Sequence, residues 1–400
     1  MKKGWEYSTI GDLCDKMNGL WKGKIGPFVN VGVIRNANFT KSFTLSFDNI
    51  EYLDVEAKQY KTRKLQKGDL IVEKSGGSEK QPVGRTVLFD REDGEYSFSN
   101  FTSVLRIKNR DVISPEFLYK YILFVYLRGD TRKMQKATTG IHNIEFDKFL
   151  SILVPKLPLS EQQSIVSYLD SAFAKIDAMK ANAEKALNEA KALFQASIKD
   201  MLEPKEGWEE KSLEEITKKI SDGSHNPPAG VAFSEYEMLS SKNVRNDYFD
   251  FENPRFLSKE DFDKENKRTN IEKGDVLLTI VGASLGDCCV YNFEKKIVFQ
   301  RSVSVIKPIY DIISSRFLMY TLQHNYDSIR NESNGAAQKG IYLKQLAAYK
   351  VFIPSISEQK AIVAALDAIK VKVGRLQANY DKICQECSAL KQAILRQVFE

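Results

Sequence analysis

EQQSIVSYLD, residues 161–170, returns 197 positions later as EQKAIVAALD, residues 358–367. The match runs without a gap from Glu161–Glu203 onto Glu358–Glu400, closing on ALFQASIKDMLE in one copy and ALKQAILRQVFE in the other. Between Gln359 and Val398 there is no proline, and the only glycine is Gly374. Apolar residues in the second copy fall at Ile362, Leu366, Ile369, Val373, Leu376, Tyr380, Ile383, Cys387, Leu390 and Ile394, in alternating steps of four and three. That spacing predicts a long helix with a coiled-coil seam. The same positions in the first copy are Ile165, Leu169, Ala172, Ile176, Met179, Ala183, Ala186, Ala190, Leu193 and Ser197, a smaller stripe. Paired antiparallel, Ala183 and Ala186 would face the Tyr380 and Ile383 region, bulk into space. That complementarity favours pairing within the chain over pairing between chains. Each helix would be roughly 60 Å long at 1.5 Å per residue. Its start is expected at a capping box of Ser160 with Gln163, and at Ser357 in the second copy, where Lys360 loses the reciprocal bond.

The repetition extends beyond the helices. Gly4-Trp5-Glu6 recurs as Gly207-Trp208-Glu209, Lys67-Gly68-Asp69 as Lys273-Gly274-Asp275, and Phe117-Leu118 as Phe317-Leu318. Gly140-Ile141 returns as Gly340-Ile341 and Pro155 as Pro354. Two long copies, rather than many short ones, predict a pseudo-dimer on one chain and not a solenoid. Strand-like runs such as Asp69–Val72, Ser103–Ile107, Val276–Ile280 and Ser302–Ile306 alternate with turns. One helix per segment is expected to begin near Pro115 and near Ser315. The expected fold is α+β. Two similar mixed α/β domains, residues 1–158 and 204–356, are separated by and joined through long antiparallel coiled-coil helices, residues 159–203 and 357–400, with pseudo-two-fold symmetry.

Composition narrows the classes. With 400 residues, 42% of them apolar, 23 Phe and 17 Tyr, the chain supports real cores and excludes wholesale disorder. It has no apolar run of the ~18 residues that a membrane-spanning helix needs, and no signal-peptide pattern. A cytoplasmic protein with no membrane partner is expected. The formal net charge of +6 is compatible with a polyanionic partner without identifying one. Five cysteines do not make a disulfide scaffold. Cys384 and Cys387 share a helix and Cys288 adjoins Cys289, so packing or surface thiols are expected and no metal.

Between the repeated anchors the sequence diverges freely, as two sites that read different things would. The divergent loops carry groups suited to nucleic acid. In the first domain these are Trp21, Lys22, Lys24, Arg35, Asn36 and Asn38, then Lys74, Ser75, Ser78, Lys80, Gln81 and Arg85, then Arg128, Arg132, Lys133, Gln135, Lys136, His142 and Asn143. The second offers Ser224, His225, Asn226, Ser241, Lys242, Asn243 and Arg245, then Ser284, then Arg330, Asn331, Asn334, Gln338, Lys339 and Tyr342. Arg and Lys suit guanine edges or phosphates, and Asn and Gln suit adenine. Catalytic signatures are incomplete. Asn226-Pro227-Pro228 continues with Ala229, so the aromatic that would stack on a flipped adenine is missing. Lys74–Ser78 lacks the spacing of a phosphate-binding loop. The chain is expected to bind and position, with no catalytic residue and no cofactor or metal of its own.

Taken in order, these motifs carry a resemblance. Gly4-Trp5 and Gly207-Trp208, Asp222-Gly223-Ser224-His225 with Pro227, and Lys242-Asn243-Val244 are three of them. Gly274-Asp275 with Gly282 and Gly286, Gln338-Lys339-Gly340-Ile341, and Pro354 with Glu358-Gln359 complete the set. Together they resemble the specificity subunit of type I restriction-modification systems over essentially the whole chain. The first domain departs from the pattern, with Asn18-Gly19-Leu20-Trp21 and Thr138-Thr139-Gly140-Ile141. The resemblance implies two target recognition domains reading a bipartite site on double-stranded DNA. It implies helices that set the gap between half-sites and dock two modification subunits, and it implies restriction subunits added to that core. S-adenosylmethionine, ATP and Mg would then belong to the partners, which methylate adenine or cleave. The isolated chain could also homodimerise through exposed helix surface. A DNA-binding anti-restriction or regulatory homologue and a coiled-coil scaffold are the alternative readings.

Overall fold

The computed structural model describes residues 4–20, 23, 25–138, 140–332 and 340–400. Two compact units emerge, residues 1–183 with 380–400, and residues 184–379. Each holds one globular lobe, the start of the long helix that follows it, and the end of the other long helix.

Both lobes are built on the same frame. In the first, an antiparallel sheet runs in the order Cys14–Asn18, Thr102–Ile107, Leu70–Glu73, Thr86–Leu88. In the second the order is Thr217–Asp222, Val303–Pro308, Val276–Thr279, Cys288–Val290. The period-two alternation of strand side chains divides the core. Leu70, Val72, Leu105 and Ile107 pack under the helix Pro115–Arg128, while Ile71, Val87 and Val104 pack with Ile34, Phe89 and Phe98 on the other face. Val276, Leu278 and Ile306 repeat the first face, and Leu277, Val303 and Val305 the second. The helices begin at Pro115 and Ser315, where Ser114 and Ser314 accept from the amides of Phe117 and Phe317.

The repeated Lys-Gly-Asp has a physical cause. Buried Asp69 accepts the Gln66 amide at 2.8 Å and a bidentate pair from Arg106 at 2.8 and 2.7 Å. Asp275 accepts the Glu272 amide at 2.8 Å and Lys307 at 2.7 Å. Each aspartate closes a turn and fastens it to the neighbouring strand. The other recurring polar anchor is the glutamine of Glu-Gln. Gln162 accepts the Ser114 amide at 2.9 Å and donates to Val112 and Leu157 carbonyls, and Gln359 does the same with Ser314, Ile312 and Pro354. Both are fully buried with every amide group used, so each pins the root of a long helix to its lobe. Glu6–Thr9 pairs with Leu153–Lys156, and Glu209–Ser212 with Lys350–Ile353, closing the lobes at the same roots.

The long helices span Leu159–Leu202 and Ile356–Phe399, 44 residues each. They begin earlier than the capping boxes predicted. Ser160 lies inside the first turn, and in the second copy Ser355, not Ser357, caps by accepting the Glu358 amide at 3.3 Å. The helix segments are antiparallel within each unit. In the first, Asp177 meets Lys391 at 2.6 Å and Lys391 also lies over Phe173. In the second, Lys191 donates to Gln377 at 2.8 Å, while Ile198 and Leu202 share a core with Ile362 and Leu366.

The seam needs a correction. Leu169, Ile176 and Leu366 are buried, and Ile165, Ala183, Val373, Leu376, Tyr380 and Ile383 are half-buried. Ala186 and Leu390, however, face solvent, with Leu390 46% exposed. Their neighbours Leu187 and Lys391 take the inward positions. The cause is the order of the steps. Buried positions at Val166, Leu169, Phe173 and Ile176 run three-four where the expected seam runs four-three, so Val166, Phe173 and Leu187 replace Ile165, Ala172 and Ala186 at the contact. Alanine is compatible with either face, so that stretch of the first helix could not fix the phase.

Candidate nucleic-acid interface

Three loops that are distant in sequence converge in each lobe. In the first, Asn36 Nδ2 donates to the Ser75 carbonyl at 2.6 Å, and Ser75 Oγ donates to Asn143 Oδ1 at 2.5 Å. The strand carrying His142 and Asn143 pairs with Ser75–Gly77, and the amides of Lys74 and Ser75 both reach the Phe101 carbonyl. In the second lobe Ser284 Oγ donates to the Ser241 carbonyl at 3.1 Å, and the Ser241 amide donates to Ser302 Oγ at 3.2 Å. The Ile341 amide reaches the Ile280 carbonyl at 2.9 Å, which brings exposed Tyr342 to the same edge. A shallow cleft lies beside each convergence. The first, about 820 Å³, is lined by Leu20, Val33, Leu53, Val55 and Phe101 with Arg35 and Asn36. The second, about 560 Å³, is polar, lined by Lys242, Arg245, Glu252, Arg255 and Gln300 among others.

Glycine makes the frame possible beside these clefts. A Cβ on Gly19 would stand 1.8 Å from the Ser99 carbonyl oxygen, and one on Gly223 would stand 2.1 Å from that of Phe299. The Asn-Gly and Asp-Gly pairs therefore mark one close backbone crossing, used twice.

Several candidates are not placed to read DNA. Arg85 is held bidentate by buried Glu73, at 2.7 and 3.1 Å, and stacks over Phe39. Asn243 is buried. Its Oδ1 accepts the Ser240 amide at 3.0 Å, and its Nδ2 donates to Asp250 at 3.2 Å and to the Glu252 carbonyl at 2.8 Å. Asn38 holds the equivalent turn, accepting the Arg35 amide and donating to the Asn49 carbonyl. Ser224 is buried under the strand that continues to Gln300. These residues satisfy the backbone of the loops that carry the readers.

Other candidates remain outward. Lys242 and Asn226 are exposed, and half-buried Arg245 donates to the Val244 carbonyl at 3.1 Å. His225 Nε2 lies 2.7 Å from Asp222 and 3.1 Å from Arg268, which itself pairs with Asp222. Arg35 pairs with Glu51, and exposed Arg132 donates to the Glu79 carbonyl at 2.8 Å. Burial pushes the Lys74 ammonium down, with Lys16 adding to it. Lys133 lies apart, lining a separate cleft with Arg128 and Phe399. Lys22, Lys24, Gln338 and Lys339 lie outside the described residues. Sequence reading missed Arg268, Arg255 and Gln300. Only Gln300 had a signal, since it directly follows a strand at the place that polar Ser99 holds in the first lobe.

Among the described residues no group of His, Cys, Asp and Glu could hold a metal ion, and no helix is long and apolar enough to cross a membrane. The cysteines are unpaired, and burial pushes the thiols of Cys14 and Cys289 up to about 12.

The type I restriction modification DNA specificity domain matches residues 2–189 and again 205–377. The chain belongs to this family. Within the family it is 25% identical to the Type I restriction enzyme EcoKI specificity subunit of Escherichia coli K12, across 100% of this chain and 89% of that protein. It is 27% identical to the EcoBI specificity subunit of Escherichia coli, over 62% of this chain and 57% of the relative. A putative MjaX specificity subunit of Methanocaldococcus jannaschii is 23% identical over 91% of this chain and 86% of its own length. The fold is also similar to a structure described in work on complex assembly and conformational transition of the type I R-M system. That likeness has a TM-score of 0.75 at 19% identity, covering 100% of this chain and 98% of the other. The HsdS subunit from Thermoanaerobacter tengcongensis aligns with a TM-score of 0.56 at 20% identity, over 100% of this chain and 97% of that one. The family's two matched segments fall on the two lobes, each with part of a long helix.

Proposed function

We propose that this chain is the DNA-reading subunit of a type I restriction-modification complex, each lobe reading one half of a bipartite site on double-stranded DNA. The observation that carries this reading is the duplicated three-loop convergence, built on one frame and lined by different side chains. Two such surfaces of different chemistry would give two unlike half-sites. The long helices, residues 159–203 and 357–400, would serve as the spacer between half-sites and as docking surfaces for two modification subunits. Restriction subunits would join that core. S-adenosylmethionine and ATP chemistry would reside in those partners. Within the first lobe Asn36, Lys74, Arg132, His142 and Asn143 are the proposed contacts. Within the second they are His225, Asn226, Lys242, Arg245, Ser284 and Tyr342. Co-expression with a modification subunit, followed by mapping of methylated adenines, tests this. The expected result is co-purification and a two-part motif with a fixed gap. A one-part motif, or no co-purification, would overturn the reading.

A further inference from the structure

The hairpin that follows the buried asparagine is anchored differently in the two lobes. In the first its tip is Phe43, at φ 63°. The Phe43 carbonyl accepts from Tyr119 Oη at 2.7 Å, and its ring meets Tyr126 edge-on at 5.4 Å. In the second the tip is Asp247, at φ 70°, with its side chain only 6% exposed. Arg316 Nη1 donates to it at 2.5 Å, and Lys370 of the second long helix contacts its other oxygen. Arg316 also reaches Asp367, which accepts from Tyr320 Oη at 2.6 Å.

The register of the repeat makes the comparison residue by residue. Asp170, paired with Lys120 at 2.5 Å, stands for Asp367. Phe173, buried in the first core, stands for Lys370. The first lobe therefore holds its hairpin with aromatic contacts, and the second holds it with charges that a core does not need. Removing a cation from buried Asp247 leaves its carboxylate less compensated, so the tip tolerates little displacement from Arg316 and Lys370. The hairpin is short. Val244 pairs with Phe249 and Arg245 with Tyr248, so a shift at Asp247 moves Arg245, two residues away, and Lys242 at its root.

We infer that Asp247, Arg316 and Lys370 are positioning residues for recognition of one DNA half-site, fixing the hairpin with Lys242 and Arg245 against the second long helix. The inference rests on the proposed DNA-reading function. A recognition group held an ångström out of place loses roughly ten- to a hundredfold in effect.

The test uses the full chain with its modification partner and duplexes in which one mapped half-site at a time is scrambled. Asp247→Asn and Lys370→Met are expected to lower discrimination at one half-site about tenfold or more and to leave the other unchanged. The pair Asp247→Phe with Lys370→Phe places at both positions the residue that the first lobe has there, Phe43 and Phe173, keeps net charge, and leaves Arg316 on Asp367. It is expected to recover most of the loss. Equal losses at both half-sites, or none at either, would overturn the inference. If the single variants do not fold, a paired Phe variant that folds without reading the second half-site also overturns it. A wild-type chain that discriminates at neither half-site sinks the DNA-reading proposal itself, a separate outcome.

Discussion

Asn243 and Lys242 adjoin in one turn and do opposite jobs. Asn243 makes three inward hydrogen bonds, to Ser240, Asp250 and Glu252. Asn243→Ala should therefore cost about 1–3 kcal/mol of stability, seen as a lower midpoint in denaturant. Lys242→Ala should stay within about 0.5 kcal/mol in stability. Its effect should appear in binding, as a loss at one half-site if it touches a base and a uniform loss if it touches phosphate. The sequence offered both as readers because it shows that an asparagine is in a loop, not which way its amide turns. The same limit applied to Arg85, whose buried partner Glu73 lies twelve residues upstream across a turn. Lys370 gives a pH test. Burial pushes its ammonium from 10.5 down to about 8. Between those values the unfolded chain holds a proton that the folded chain has released, so this group makes stability rise with pH across that window. Its pairing with Asp247 changes in the other direction. The groups around it are Asp247 and Asp287 of the lobe, Gln195 of the first long helix, Arg316, Tyr320 and Tyr326 nearby, and Asp367 on its own helix. Half-site binding measured at pH 7 and pH 9 should weaken for the second lobe only, and Lys370→Met should abolish that difference.

Among the elements, the long helices were the most legible and also the place where the phase was misread. Ungapped repetition and the absence of proline were enough to predict their existence and length, while their antiparallel packing was expected from the fit of alanine against bulk and from the family resemblance. What alternating fours and threes could not supply is which of two adjacent residues points inward when one is alanine. Leu187 and Leu193 decide the matter experimentally. Leu187 is 3% exposed and Leu193 is 62% exposed. Leu187→Ala should cost about 2–4 kcal/mol, and Leu193→Ala should cost about 0.5 kcal/mol or less. Chemical denaturation of the two variants checks this, and the reverse ranking would restore the seam with Ala186 inward. The lobes were legible as a frame through Lys-Gly-Asp and Phe-Leu, whereas the shared crossing at Gly19 and Gly223 stood in the sequence only as a departure between the two domains. Their small sheets and clefts were not, because strands of two or three residues leave no periodic trace.

For the whole molecule the duplication has a metrical consequence on the proposed reading. If the long helices set the gap between half-sites, that gap is a count of residues. Seven residues of helix rise about 10.5 Å, close to three base pairs at ~3.4 Å each. A heptad preserves the seam, since it returns every side chain to nearly the same face. It must enter both helices at matched positions, because the antiparallel segments pack against each other within each unit. An insertion of four residues would instead rotate the seam out of register and cost stability. The matched heptad variant, co-expressed with its modification partner, should methylate a motif whose two halves are unchanged and whose gap is about three base pairs longer. An unchanged gap in the methylation map would mean that something other than helix length sets the distance.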